Sequence, residues 1–234
     1  MVNIVEKVDD LVPVKNVLLS LWNKDGVDEL VEGLIQHCPD VCLVASGGTH
    51  KKLAEVTAEI PGYKGRLMTA DEYTGQKATQ GGLVKTLDWK IHLGILTEKY
   101  NPNHQQDLAD TSSIPFDMVV VNFYPFQAVL KETESLTPEI ARAHIDIGGP
   151  TMIRGAAKNY IRVAAVSSPA DYQLVLQKLR EGNGSLGLKT RYTLAARAYQ
   201  RLAANTQAIA DFMKVTPPEK VTKCYEFQDQ GGSN

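Results

Sequence analysis

At 234 residues the chain is long enough for one large domain with a substantial core, and its 43% hydrophobic and 22% charged residues are ordinary for a soluble globular protein. A formal net charge of -2 excludes the basic excess of a general nucleic-acid binder while leaving room for a local phosphate pocket. The three cysteines, Cys38, Cys42 and Cys224, are odd in number and show no C-x-x-C spacing, which argues against a disulfide framework and a zinc site. With no signal peptide and no apolar run of membrane-spanning length, a cytoplasmic location without a membrane partner is expected.

Residues 14–21 are an apolar run fit for a first strand, and Lys24-Asp25-Gly26 leads into residues 27–38, where Leu30, Val31, Leu34 and Ile35 share a helical face. A second short apolar run at 41–45 reads as a buried parallel strand, followed by Ser46-Gly47-Gly48-Thr49 and a segment of helical spacing. Strand, Ser-Gly-Gly-Thr, helix is a phosphate-cradle arrangement, with hydroxyls and successive backbone N–H groups facing one anion. A glycine turn capped by Thr49 accounts for the same four residues equally well. The spacing fits neither the dinucleotide fingerprint nor the P-loop.

Residues 61–82 are polar and glycine-rich and read as a long loop, and 85–96 is open between helix and loop. Met118-Val119-Val120-Val121 is the clearest central strand, running into Asn122-Phe123-Tyr124-Pro125-Phe126. In 145–159 a short apolar stretch ends at Asp146, read as a buried acid. Gly148-Gly149 then turns the chain, Pro150 suits a first helical position, and a small-residue helix carries Lys158. A strand at 161–166, a helix starting at Pro169, and a long helical pattern over 188–213, in one or two helices, follow. Pro217-Pro218 ends that pattern and leaves a polar tail. The alternation predicts an α/β fold with a mostly parallel sheet, and ligands in such sheets bind beyond the carboxyl ends of strands. Three Gly-Gly turns, at 47–48, 81–82 and 148–149, favour a nucleotide-sized ligand.

These elements, in order, resemble the inosine monophosphate cyclohydrolase domain, the N-terminal half of the bifunctional enzyme that completes purine nucleotide synthesis. The match is carried by Leu18-Leu19-Ser20, Ala45 to Thr49, Gly81-Gly82 with Val84-Lys85-Thr86-Leu87, the Asn-x-Tyr-Pro-Phe run at 122–126, residues 145–159, and Asp171-Tyr172. The resemblance implies a three-layer, methylglyoxal-synthase-like α/β domain over 1–215, with 216–234 as a C-terminal tail. It implies ring closure of 5-formamidoimidazole-4-carboxamide ribonucleotide to inosine monophosphate with loss of water, the last step of de novo purine synthesis. Neither a metal nor an organic cofactor is called for, since both reacting groups lie in one molecule. By motif position the catalytic set is Lys85, Tyr124, Asp146 and Lys158. Lys85 serves the formyl oxygen, Asp146 orients or deprotonates the carboxamide, and Tyr124 and Lys158 position the base and assist dehydration. Ser20, Lys24, Ser46, Gly47, Gly48 and Thr49 correspond to phosphate and ribose contacts, and Thr86, Asn122, Gly148 and Gly149 line the base.

Leu83 stands where the family usually has arginine, Asp88-Trp89 replaces a His-Pro pair, and Trp22 and Asp25 alter the first loop. Such changes are expected to weaken phosphate binding, move the substrate or alter its identity. The alternative reading is therefore a nucleotide-binding regulatory module of the same fold without turnover; a methylglyoxal-synthase-type lyase leaves Asn-x-Tyr-Pro-Phe unexplained. By the resemblance a homodimer is expected, and a stand-alone chain needs a separate formyltransferase to supply its substrate.

Overall fold

The computed structural model describes residues 4–61, 63, 67–77, 79, 86–133 and 135–228. The chain divides into two compact units, Met1–Phe123 with Ile147–Leu202, and Tyr124–Asp146 with Ala203–Asn234.

In the first unit, β2 (Asn16–Leu21), β3 (Cys42–Ala45), β4 (Leu67–Thr69), β5 (Met118–Asn122) and β6 (Ala164–Val166) form a parallel sheet of order β4-β3-β2-β5-β6. A separate antiparallel pair joins β1 (Leu11–Pro13) to β7 (Ser185–Gly187). Period-two alternation assigns each strand residue to one of two cores. Val17, Leu19, Leu43, Met118, Val120, Ala164 and Val166 enter one; Leu18, Val44, Val119, Val121 and Ala165 enter the other. Burial on both faces is why these strands read as continuous apolar runs.

On the first face, α1 (Val27–His37) packs against α2 (Gly47–Ala58) and α9 (Tyr172–Glu181). On the second, α4 (Trp89–Leu96) lies along α8 (Gly148–Lys158), and the start of α10 (Leu188–Val215) adds Ala195, Ala198 and Leu202. The α4–α8 pair runs parallel. Thr86 meets Gly148 at one end, and Asn159 donates to the carbonyls of Ile95 (2.8 Å) and Thr97 (3.0 Å) at the other. Two further helices, α3 (Ala70–Thr74) and α5 (Pro102–Asp110), also belong to this unit. The second unit consists of α6 (Phe126–Glu132), α7 (Pro138–Ala143), the end of α10 and α11 (Pro218–Thr222), around a small core of Phe126, Val129, Ala141 and Ala208.

Some local expectations change and others are resolved. Within the stretch read as a loop, β4 and α3 form. A three-residue edge strand is too short to show a period, but Thr69 and Glu72 make a reciprocal capping box whose T-x-x-E spacing is visible in sequence. Residues 89–96 are helical because the Asp88 carboxylate accepts from the N–H groups of Lys90 (2.7 Å) and Ile91 (3.4 Å). The long pattern after residue 187 is one helix, and the segment past Pro217 carries α11, with Tyr225 donating to Glu139 at 2.5 Å.

Candidate functional site

β2 is the central strand: the chain moves from it to β3 and β4 on one side and to β5 and β6 on the other. The carboxyl ends of β2, β3 and β5 therefore surround the point where strand order reverses, the customary ligand position in an open parallel sheet. Ser20 lies near the end of β2, Ser46 just past β3, and Asn122 at the end of β5.

Three hydroxyls gather there. Ser46 Oγ donates to Ser20 Oγ at 3.0 Å and lies 3.4 Å from Thr49 Oγ1. Thr49 is buried, and its Oγ1 accepts the Leu21 N–H at 2.8 Å. Ser46 occupies the N-cap position of α2 but makes no capping hydrogen bond with its side chain, so the first-turn N–H groups of a twelve-residue helix are left to another acceptor. A Cβ built on Gly47 or Gly48 meets nothing within 4 Å. Bare backbone, outward N–H groups, the positive end of a helix and two serine hydroxyls are what a phosphate needs.

Asn122 grips the loop after β2. Its Oδ1 accepts from the Asn23 N–H and its Nδ2 donates to the Asn23 carbonyl, both at 2.8 Å, while its own carbonyl takes the Trp22 N–H at 3.3 Å. Lys24 Nζ rests against the Trp22 carbonyl at 3.4 Å, and Gly26 turns the chain with φ of 68°. A side chain at Gly26 would also approach the ring of Tyr172. Tyr172 is buried and its hydroxyl makes no hydrogen bond among the described residues. Burial pushes that phenol up to about 12, Asp171 and Asp25 add to the effect, and the nearby Asn122 amide opposes it.

A second group forms at the start of α8. Thr86 is buried, and an added Cβ on Gly148 would stand 2.7 Å from Thr86 Oγ1, so the contact requires glycine. Gly149 is buried beside it. Lys158 is exposed and is the last residue of α8, ten residues or roughly 15 Å along the helix axis from Gly148 at the usual rise per residue. Lys85 and Leu83 lie outside the described residues.

Tyr124 and Asp146 belong to the second unit. Asp146 is exposed in the chain, not buried as its apolar neighbours suggested, and Ile147 is 57% exposed. The segment between α7 and α8 forms neither strand nor helix, so nothing takes it inward. Tyr124 donates to Glu132 Oε2 at 2.6 Å, and its ring faces that of His144 with centroids 6.4 Å apart. The hydrogen bond to a carboxylate, with smaller contributions from burial and charge, raises the phenol above its ordinary pKa.

Two polar contacts here were not read from sequence, although Asp171 is among the residues that carry the resemblance. Asn23 completes the Asn122 clamp through its backbone alone and leaves no sequence signal. Asp171, with a side chain only 2% exposed, holds Arg197 (2.7 Å) and Arg201 (2.8 Å), which lie four apart on α10; that spacing puts both on one helix face. Among the departures, Asp88 is spent on capping α4, whereas Trp22 is 56% and Trp89 59% exposed. Among the described residues no His, Cys, Asp and Glu side chains gather as a metal site, and no helix is long and apolar enough to cross a membrane.

The chain is 38% identical over 206 residues to the bifunctional purine biosynthesis protein PurH of Magnetococcus marinus, covering 88% of this chain and 37% of that protein. To the PurH of Lactiplantibacillus plantarum it is 38% identical over 213 residues, covering 91% and 39%. Residues 156–231 match the AICARFT/IMPCHase bienzyme family. The chain is similar to the IMP cyclohydrolase-type domain of PurH. It spans about two fifths of the length of the curated relatives it matches. Of the expected site residues, only Lys158 lies within the family-matched segment. The solved structure of ForH superposes with a TM-score of 0.69 at 27% identity, covering 85% of this chain and 98% of that one. The shared architecture is the three-layer, methylglyoxal-synthase-like α/β fold.

Proposed function

We propose that this chain closes the purine ring, converting 5-formamidoimidazole-4-carboxamide ribonucleotide to inosine monophosphate and water. The observation that carries the reading is the group of hydroxyls and helix-start N–H groups at Ser20, Ser46 and Gly47 to Thr49, set at the reversal point of the sheet in a chain similar to PurH over about nine-tenths of its length. The cradle suits the substrate's phosphate, and Lys24 adds a cation on the adjoining loop.

The chemistry dictates the remaining groups. A carboxamide nitrogen is a poor nucleophile and must lose a proton as it attacks the formyl carbon; Asp146 takes or orients that proton. The formyl oxygen gathers negative charge and is then lost as water; the Lys85 ammonium donates to it, a type of contact worth around 3 kcal/mol of barrier. Tyr124 and Lys158 assist dehydration, and Thr86, Asn122, Gly148 and Gly149 border the base. In this reading the chain works as a cytoplasmic homodimer without a cofactor.

A spectrophotometric assay of the purified chain with the formamido ribonucleotide tests the reading. Turnover that Lys85→Ala and Asp146→Asn each lower at least a hundredfold is the expected result. Tight binding of inosine monophosphate with no turnover in the parent chain would instead point to a regulatory nucleotide-binding module.

A further inference from the structure

We propose that Tyr172 is a positioning residue for the loop after β2, its hydroxyl donating to the Asn122 amide oxygen when a nucleotide occupies the rim of the sheet. The inference rests on the cyclohydrolase reading, in which Asn122 borders the base. Tyr172 is only 3% exposed, and its hydroxyl has no hydrogen-bond partner among the described residues. Native chains leave few buried polar groups unpaired, because a desolvated hydroxyl without a partner is destabilising. Phenylalanine would fill the same space without that penalty, so the oxygen is accounted for by a second arrangement in which it is paired. Of the two carboxylates near the phenol, Asp171 is held by Arg197 and Arg201, and Asp25 is exposed. The Asn122 amide is the neutral group beside it.

The phenol is too firmly held to travel to a partner. Ser168 Oγ accepts the Ala170 N–H at 3.2 Å and so caps the short turn Pro169–Asp171, while two arginines of α10 grip Asp171. The ring itself packs in the core that contains Val27, Val175 and Leu179. The loop is tied more lightly. Asn23 hangs on one side chain, through the two bonds it makes with Asn122, and Lys24 Nζ makes a long 3.4 Å contact with the Trp22 carbonyl.

Leu21, just before the loop, gives its N–H to Thr49 in the first turn of α2, which sets the loop beside the start of that helix. A phosphate bound there attracts Lys24, and Lys24 draws the adjoining Asn23 with it. The Asn23 N–H then leaves Asn122 Oδ1 for water, and the Tyr172 O–H takes its place. The amide oxygen stays satisfied and the phenol gains a bond. A ligand shifts such an equilibrium only by what it binds differently in the two arrangements, and here that difference is the contact of Lys24 with phosphate.

Two measurements on the full chain test the exchange. Tyr172→Phe should raise the Kd for inosine monophosphate and the KM for the formamido ribonucleotide about three- to tenfold, with kcat within about twofold. The melting temperature without nucleotide should change little, whereas a tyrosine of purely structural value would alter the melt and spare the affinity. In nuclear magnetic resonance spectra, inosine monophosphate should shift the backbone N–H signals of Gly47 and Gly48 equally in both chains. The side-chain amide signals of Asn122 should respond less in Tyr172→Phe than in the parent. Equal affinity in the two chains, or an Asn122 response that is the same in both, overturns the proposal. Turnover with an affinity indifferent to Tyr172 would leave the cyclohydrolase reading standing alone. Weakened nucleotide binding in a chain that never turns over the substrate would sink that reading and keep the role of Tyr172, and a parent that binds no inosine monophosphate overturns both.

Discussion

The two ends of the parallel sheet use polar groups in opposite ways. At the amino ends, Asp117 accepts the N–H groups of Lys15 (2.9 Å) and Asn16 (3.0 Å), and Arg162 donates to the carbonyls of Gly94, Phe116 and Thr97 while lying 3.5 Å from Asp117. Both side chains are buried and committed to backbone. At the carboxyl ends, Ser20 and Ser46 bond each other above a helix start that neither caps, beside glycines with open space over them. The first arrangement closes the fold; the second leaves the first turn of α2 without a side-chain cap. Polar residues at strand ends thus acquire a role from whether the backbone around them is already satisfied.

Breaking the closed end should have the largest effect. Arg162→Met leaves several buried carbonyls and Asp117 without their cation, and a loss of roughly 3–5 kcal/mol is expected in urea unfolding. Nucleotide affinity of the folded fraction, read by calorimetry with inosine monophosphate, should stay within about twofold. Thr49→Val sits between the two behaviours, because Thr49 both receives the Leu21 N–H and borders the cradle. It should cost about 1–2 kcal/mol of stability and raise the Kd or KM about tenfold. Ser46→Ala should spare the melting temperature and raise KM or Kd only several-fold, as expected for one neutral hydrogen bond. A Ser46→Ala chain that melts several degrees lower would mean that the open end is also structural. Tyr172→Phe should change stability by less than about 0.5 kcal/mol in thermal melts, since its hydroxyl bonds to nothing among the described residues.

The strands at Asn16–Leu21, Cys42–Ala45 and Met118–Asn122 were legible because burial on both faces writes them as unbroken apolar runs. The junction at Ser46 to Thr49 was legible for a related reason: an apolar run that stops at serine and glycine before a segment of helical spacing marks a strand that passes into a helix. Asp146 was not, because Ile145 and Ile147 suggested burial that neither a strand nor a helix enforces. The Glu132 contact was hidden as well. Its eight-residue separation from Tyr124 fits no periodic rule and depends on how α6 leaves Pro125. The buried Arg162 was silent because most of its partners are carbonyls, which have no letter in a sequence.

The lone oxygen of Tyr172 has a practical use. Its ring lies against the turn at Gly26, close to the amide that grips the loop after β2, and among the described residues its hydroxyl has no hydrogen-bond partner. A fluorine placed on that ring should register, as a resonance shift, any molecule that settles over the loop. The chain thereby carries its own indicator of occupancy, readable before its substrate has been named.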